Sequence, residues 1–385
     1  MKKQLLFIID SLNCGGAEKS LVSLLPLLDY EQYDVDLMLF DRGGIFETYV
    51  PDRVKVIDYR YQILYPYTIK GQIRKFICFS LLSPQLRCIK KMHGAEVHWR
   101  TMRHIYKTYP KEYDVAVAYQ QGVPTFFLAE KVKAKKKIAW INANIFADKY
   151  NMEFCRPYYE KMDYIIAVSE QLYGIVCDNM SWAKEKVRTI YDCIYPKQIY
   201  SLAKELVHDL IKREVTLVTV GRLSEQKNHY LAVDAAKVLK EKGLDFIWYF
   251  IGEGELRSRI KTKIDDLGLD ENVKMLGMKQ NPYPYINQAD IYVQTSSFEG
   301  FCLTLAEARI LHRPIVSTNF DVVYDQIVDY QNGLIAEMNP NSVAEKILEL
   351  VNNESLRETI VKNLEKETNT TSSTEIQKFY SMLNE

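Results

Sequence analysis

Two glutamates in the stretch SSFEGFCLTLAEARI have the types and spacing to do chemistry. Glu299 sits beside Gly300, as in a loop, and Glu307 falls eight positions on, where a helical pattern is running. Carboxylates at such a joint can accept hydrogen bonds from ligand hydroxyls. Between them, the first backbone N–H groups of the helix, around Phe301, Cys302 and Leu303, suit an anion. A second stretch, VGRLSEQKN, puts Arg222 and Lys227 in one loop after Gly221. An Arg can fork to two phosphate oxygens and a Lys supplies a movable point charge. A third, SLNCGGAEKS, holds Gly15 and Gly16 ahead of a helix, where backbone can approach a ligand closely. Phosphates suit the cations and the helix start, and hydroxyls suit the carboxylates. A sugar nucleotide carries both. The plain alternative for each stretch is a solvated loop, two surface cations and an ordinary helix glutamate.

These residues need a frame, and the chain supplies one twice. Apolar runs at 4–9, 34–40, 54–58, 114–119, 137–141 and 164–168 alternate with helical patterns. The alternation restarts near Val215, with runs at 215–220, 245–251, 272–276, 290–295 and 313–318. Runs apolar on both faces are those of a parallel sheet covered on both sides. The expected class is α/β, with two doubly wound Rossmann-like domains. The domains are expected at 1–195 and 196–366, with a C-terminal helix in 367–385 returning to the first. In open α/β sheets, ligands bind beyond the carboxyl ends of the strands. All three stretches follow a strand, so two facing domains would enclose them in a cleft.

The chain has 385 residues, 47% hydrophobic and 26% charged, with formal net charge zero. Zero net charge gives no global pull toward a polyanion, and no nucleic-acid partner is expected. No apolar run approaches the roughly 18–20 residues that span a bilayer. The basic, apolar start MKKQLLFIIDSLNCGGAE reads as a buried first strand, because Asp10 interrupts it. The seven cysteines show no C-x-x-C pair or zinc spacing and read as reduced thiols of a cytosolic protein. The full G-x-G-x-x-G fingerprint is missing, which disfavours nicotinamide chemistry.

Taken together, GGAE (15–18), GRLSEQKN (221–228), EGFCLTLAE (299–307) and the strand YIIAVSE (164–170) resemble glycosyltransferase family 4. These are retaining enzymes of GT-B fold, and the likeness covers nearly the whole chain in order. It is similar in tone to bacterial enzymes that build capsule, exopolysaccharide or other surface glycans. The resemblance implies a hexosyltransferase that moves a hexose or N-acetylhexosamine from a nucleotide sugar, expected to be UDP-linked. The acceptor would be a saccharide or lipid-linked glycan. It also implies that Gly15 and Gly16 approach the donor diphosphate, and that Arg222 and Lys227 neutralise it as it leaves. Glu307 would hold the ribose hydroxyls, and Glu299 would contact the transferred sugar. Gly221 and the backbone of Gly300, Phe301, Cys302 and Leu303 complete the donor site. No cofactor and no metal are expected, since the nucleotide sugar is a substrate. Many relatives carry a histidine where this chain has Asn142, which can bond a sugar hydroxyl but cannot shuttle a proton at neutral pH. Two other readings keep the fold: a nucleotide-sugar epimerase, and a non-catalytic partner of a second transferase.

Residues 70–107 carry Arg74, Lys75, Arg87, Lys90, Lys91, Arg100 and Arg103, with Glu96 as the only acid. The apolar KFICFSLLSPQL interleaves them. Such a stretch can lie on an anionic membrane surface, placing the protein at the inner face of the cell membrane. The alternative is a pair of surface helices whose apolar face is core. A second basic run, KVKAKKK (131–137), either joins that patch or is simply solvated.

Overall fold

The computed structural model describes residues 2–13, 15–59, 76, 92–211, 213–367 and 371–385. The chain forms two compact units, Met1–Cys193 with Thr371–Glu385, and Ile194–Thr370. Most of the basic region 70–107 lies outside the described residues.

The first unit holds strands β1 (Lys3–Ile9), β2 (Tyr33–Leu39), β3 (Lys55–Asp58), β4 (Glu112–Ala118), β5 (Lys133–Ile141), β6 (Tyr164–Ala167) and β7 (Val187–Thr189). All are parallel, in the order β3-β2-β1-β4-β5-β6-β7. The second unit holds β8 (Val215–Val220), β9 (Phe246–Ile251), β10 (Val273–Gly277), β11 (Ile291–Gln294), β12 (Ile315–Thr318) and β13 (Leu334–Ala336). These are parallel too, in the order β10-β9-β8-β11-β12-β13. Strand order therefore reverses between β1 and β4, and again between β8 and β11. At such a switch the connections run to opposite faces and leave a crevice at the carboxyl ends.

The strands form because their residues can be buried on both faces. VTLVTV in β8 and FIWYFI in β9 are buried throughout. Leu217, Trp248, Phe250 and Val293 pack into one apolar layer. Val218, Ile247, Tyr249 and Tyr292 pack into the other. Successive residues thus face opposite sides, as the pleat requires. Within these strands Trp248 Nε1 donates to Thr219 Oγ1 at 2.9 Å, which donates to Val293 O at 2.7 Å.

The helix Thr371–Asn384 belongs to the first unit. Phe379 packs on Phe7 and Trp140, with ring centroids 6.1 and 5.9 Å apart, and Tyr380 stacks on Tyr33 at 5.7 Å. The basic run 131–137 is resolved by β5, which opens at Lys133. Lys133 pairs with Glu112 at 3.4 Å and Lys135 with Asp114 at 2.7 Å. Lys136 Nζ donates to Met382 O at 2.5 Å and Lys137 Nζ to Leu128 O at 3.0 Å. The run lies at the amino-terminal end of the sheet and is engaged by its own unit.

Candidate active site

In the second unit the two loops at the β8/β11 switch meet through a buried ion pair. Lys227 Nζ lies 2.5 Å from Glu299 Oε1, with side chains only 15% and 6% exposed. Lys227 comes from the loop after β8, just before the helix His229–Glu241. Asn228 caps that helix by accepting from Leu231 N at 3.3 Å. The Lys227 stem packs closely over Gly221: a Cβ there would lie 3.2 Å from Lys227 Cδ. Burial pulls the Lys227 ammonium down, but Glu299 more than offsets this, so its pKa stands above the ordinary value. The cation is therefore fixed at every physiological pH. Arg222, in the same loop, is exposed and has no ion-pair partner among the described residues. His229 is buried and held neutral, its pKa pushed down to about 3 by burial and then by Lys227.

Glu299 accepts from three side chains: Lys227, Ser296 Oγ at 2.6 Å and Gln226 Nε2 at 3.2 Å. Beyond it the chain turns through Gly300 and Phe301 to Cys302, whose φ of 69° is a left-handed value that favours glycine. The helix Leu303–Ile310 follows, and its first amide bond runs from Leu305 N to Cys302 O at 3.0 Å. Gln326 Nε2 donates to Phe301 O and reaches Cys302 O at 3.5 Å. In a trans peptide the N–H points opposite to the C=O. Gln326 thus aims the amides of Cys302 and Leu303 to the other side. Burial pushes the Cys302 thiol up to about 12, so it is no nucleophile at neutral pH.

Glu307 does not point into solvent. It is 2% exposed and accepts from the Tyr283 hydroxyl at 3.2 Å. Four residues of helix separate it from Leu303, a rise of about 6 Å. Glu299 thus precedes the helix start and Glu307 lies about one turn into the helix.

In the first unit, Gly15 precedes the helix Gly16–Leu24. The Glu18 carboxyl folds back over Gly15, where a Cβ would lie 2.2 Å from Glu18 Oε2. Asn142, after β5, donates Nδ2–H to Tyr119 O at 2.8 Å, and its own N–H goes to Gln121 Oε1 at 3.2 Å. Its amide nitrogen is committed within its own unit. Asp10, at the end of β1, has its carboxyl pushed up to about 7 by burial and then by Glu18.

Some contributors lie outside the motifs read from sequence. Gly252 and Gly254 follow β9 and back the cation loop: Cβ atoms there would fall 2.0 Å from Gly221 O and 2.3 Å from Leu223 O. Looking after the end of each strand, applied to β9 as to β8 and β11, points to them. Gln294 and Gln326 carry no such signal, and Gln226 and Ser296 lie within the stretches after β8 and β11 without anything in their type to single them out; the roles of all four come from which side chains meet.

Two parallel Rossmann-like units, with a cation loop and a two-carboxylate helix start at one switch point, have the fold of the GT-B glycosyltransferases. Residues 205–367 match the family model of the glycosyl transferases group 1. Over 361 residues it is 25% identical to a Campylobacter jejuni enzyme, the N-acetylgalactosamine-N,N'-diacetylbacillosaminyl-diphospho-undecaprenol 4-alpha-N-acetylgalactosaminyltransferase. That match covers 93% of this chain and 92% of the relative. A poly(ribitol-phosphate) alpha-N-acetylglucosaminyltransferase of Staphylococcus aureus is 34% identical over 157 residues, 39% of this chain and 31% of that protein. Among solved structures, Anabaena HepE in complex with UDP and glucose superposes with a TM-score of 0.71 at 16% identity, covering 99% of each chain. A point mutant of Staphylococcus aureus TarM, in complex with fondaparinux, alpha-GlcNAc-glycerol and UDP, gives 0.70 at 16% identity and covers all of each chain.

Proposed function

We propose that this glycosyltransferase takes a hexose or N-acetylhexosamine from a UDP-sugar, with retention at the anomeric carbon. The acceptor is a lipid-linked or polymer glycan in surface polysaccharide synthesis. The observation that carries the reading is the buried Lys227–Glu299 pair at the β8/β11 switch, with exposed Arg222 uncommitted in the same loop. The names of the relatives support the donor and acceptor classes: one acts on a diphospho-undecaprenol glycan, and two structural neighbours hold UDP.

The mechanism follows from charge. Breaking the bond from anomeric carbon to phosphate oxygen builds negative charge on the diphosphate and positive charge on the sugar ring. Arg222 and Lys227 stabilise the leaving diphosphate, helped by the amides of Cys302 and Leu303 and by the backbone at Gly300 and Phe301. Glu307 accepts from the ribose hydroxyls, and Glu299 accepts from hydroxyls of the transferred sugar. The departing phosphate oxygen takes the acceptor proton. Acceptor attack from the face the diphosphate leaves preserves configuration. Because two side-chain cations meet the diphosphate charge, the reading needs no divalent metal. Action on a membrane-anchored acceptor places the protein peripherally at the cytoplasmic face. No helix among the described residues is long and apolar enough to cross a membrane.

The test is Arg222→Ala. The side chain is exposed and unpaired, so stability should stay within about 0.5 kcal/mol. Donor turnover should fall about a hundredfold. Wild-type turnover in this variant would remove the cation loop from the mechanism.

A further inference from the structure

Beneath Glu299 runs a buried chain of hydrogen bonds along β11. The Tyr292 hydroxyl donates to Gln294 Oε1 at 2.6 Å, Gln294 Nε2 donates to Ser296 Oγ at 2.7 Å, and Ser296 Oγ donates to Glu299 Oε1 at 2.6 Å. Tyr292, Gln294 and Ser296 are each no more than 1% exposed. They alternate along the strand, so they share one side of it. Thr304 Oγ1, from the helix start, also donates to Gln294 Oε1, at 3.3 Å. The chain has one direction. An amide oxygen only accepts and an amide nitrogen only donates. With Gln294 Oε1 taken by two hydroxyls, its N–H occupies a Ser296 lone pair. The single Ser296 proton is then left for Glu299. Thr318 Oγ1 holds the backbone of this residue, donating to Ser296 O at 2.7 Å.

The chain matters because Lys227 is asked to do two things. In this structure it neutralises Glu299, and under the proposed function it must also serve the donor diphosphate. When the diphosphate draws the ammonium toward itself, the carboxylate loses its nearest donor. Gln226 Nε2, at 3.2 Å, also donates to Phe298 O at 3.1 Å and is the longer of the two remaining contacts. Ser296 is the donor that stays.

We propose that Ser296 and Gln294 are positioning residues for transfer. Gln294 fixes the direction of the Ser296 hydroxyl, and that hydroxyl keeps Glu299 on the sugar while Lys227 turns to the diphosphate. This rests on the donor-site reading above.

Ser296→Ala tests it, measured by donor turnover and by calorimetry with UDP, which lacks the sugar. The expected result is a kcat lower by about ten- to a hundredfold, the size of a lost hydrogen bond to a charged group. Donor KM and UDP affinity should stay within about twofold, because neither phosphate nor ribose contacts change. Ser296→Thr, which keeps the hydroxyl, should retain wild-type kcat within about threefold. In a Glu299→Gln background, Ser296→Ala should add less than about twofold, since the hydroxyl acts through the carboxylate. Should Ser296→Ala fail to fold, Gln294→Met leaves Ser296 in place and carries the same expectations. A wild-type kcat in these variants, or a full multiplicative loss on top of Glu299→Gln, overturns the proposal. Failure of the wild-type protein to bind UDP or turn over any UDP-sugar would overturn the functional reading instead.

Discussion

Replacing Lys227 by Met separates the structural role of the buried pair from its chemical one. Removing one partner of a buried pair costs about 3–5 kcal/mol when the other is stranded. Glu299 is not stranded, because Ser296 at 2.6 Å and Gln226 at 3.2 Å still donate to it. The expected cost is therefore about 2 kcal/mol. For a unit of this size that lowers Tm by about 4–8 °C. Adding Glu299→Gln removes the second charge while keeping an acceptor for Ser296. The double variant should recover at least about half of the lost Tm. Turnover should behave differently: a loss of about a hundred- to a thousandfold in Lys227→Met, with no recovery in the double variant. Thermal unfolding and UDP release from a UDP-sugar read the two effects on the same samples. The pH dependence carries a sign as well. The folded-state pKa of Lys227 stands above its ordinary 10.5. Its stabilisation is then complete below that ordinary value and is lost only as pH climbs through the folded one. The Tm gap between wild type and Lys227→Met should be constant from about pH 7 to 9 and shrink at higher pH. An unchanged Tm in Lys227→Met would refute the buried pair. Turnover that returned with stability in the double variant would refute its contact with the donor.

Asp192 is buried, accepts from Ser20 Oγ at 2.6 Å, and has its carboxyl pushed by burial from 3.8 to about 7. The unfolded chain loses this proton near 3.8 while the native state holds it to about 7, so stability falls as pH rises through that window. Asp192→Asn keeps an acceptor for Ser20 and should match wild-type Tm near pH 4 but exceed it at pH 8; a gap independent of pH would contradict the shift. Donor turnover should survive excess chelator within about twofold, and a loss restored by a divalent cation would assign the diphosphate charge to a metal. Vesicles containing anionic lipid should sediment the protein at about 50 mM salt and release it at about 500 mM. Absence of binding at both salts would leave the basic region 70–107 without a membrane role.

The long strands were legible because burial on both faces leaves an uninterrupted apolar run: QLLFII, VTLVTV and FIWYFI each sit within or span an observed strand. β7 and β13, three residues each, were not legible. A segment that short has no period of its own and becomes a strand only by pairing with β6 or β12. The run KVKAKKK misleads for a related reason. Its charge carries no strand signal, yet pairing with β4 recruits most of it into β5.

The site divides the same way. Residue type and position after a strand were enough to mark Arg222, Lys227, Glu299 and Glu307, because the strand-end rule depends on chain order alone. Chain order also implied two parallel sheets, since alternation of strand and helix leaves few other ways to bury both faces. What the sequence left open was partnership. That Lys227 closes on Glu299 depends on two loops 72 positions apart meeting at the β8/β11 switch. That Glu307 is buried against Tyr283 depends on how the helix Leu303–Ile310 packs. The Tyr292–Gln294–Ser296 chain depends on side-chain direction at atomic distance. These are products of packing, where a hydrogen bond exists or not within a few tenths of an ångström, and only the folded chain sets that distance.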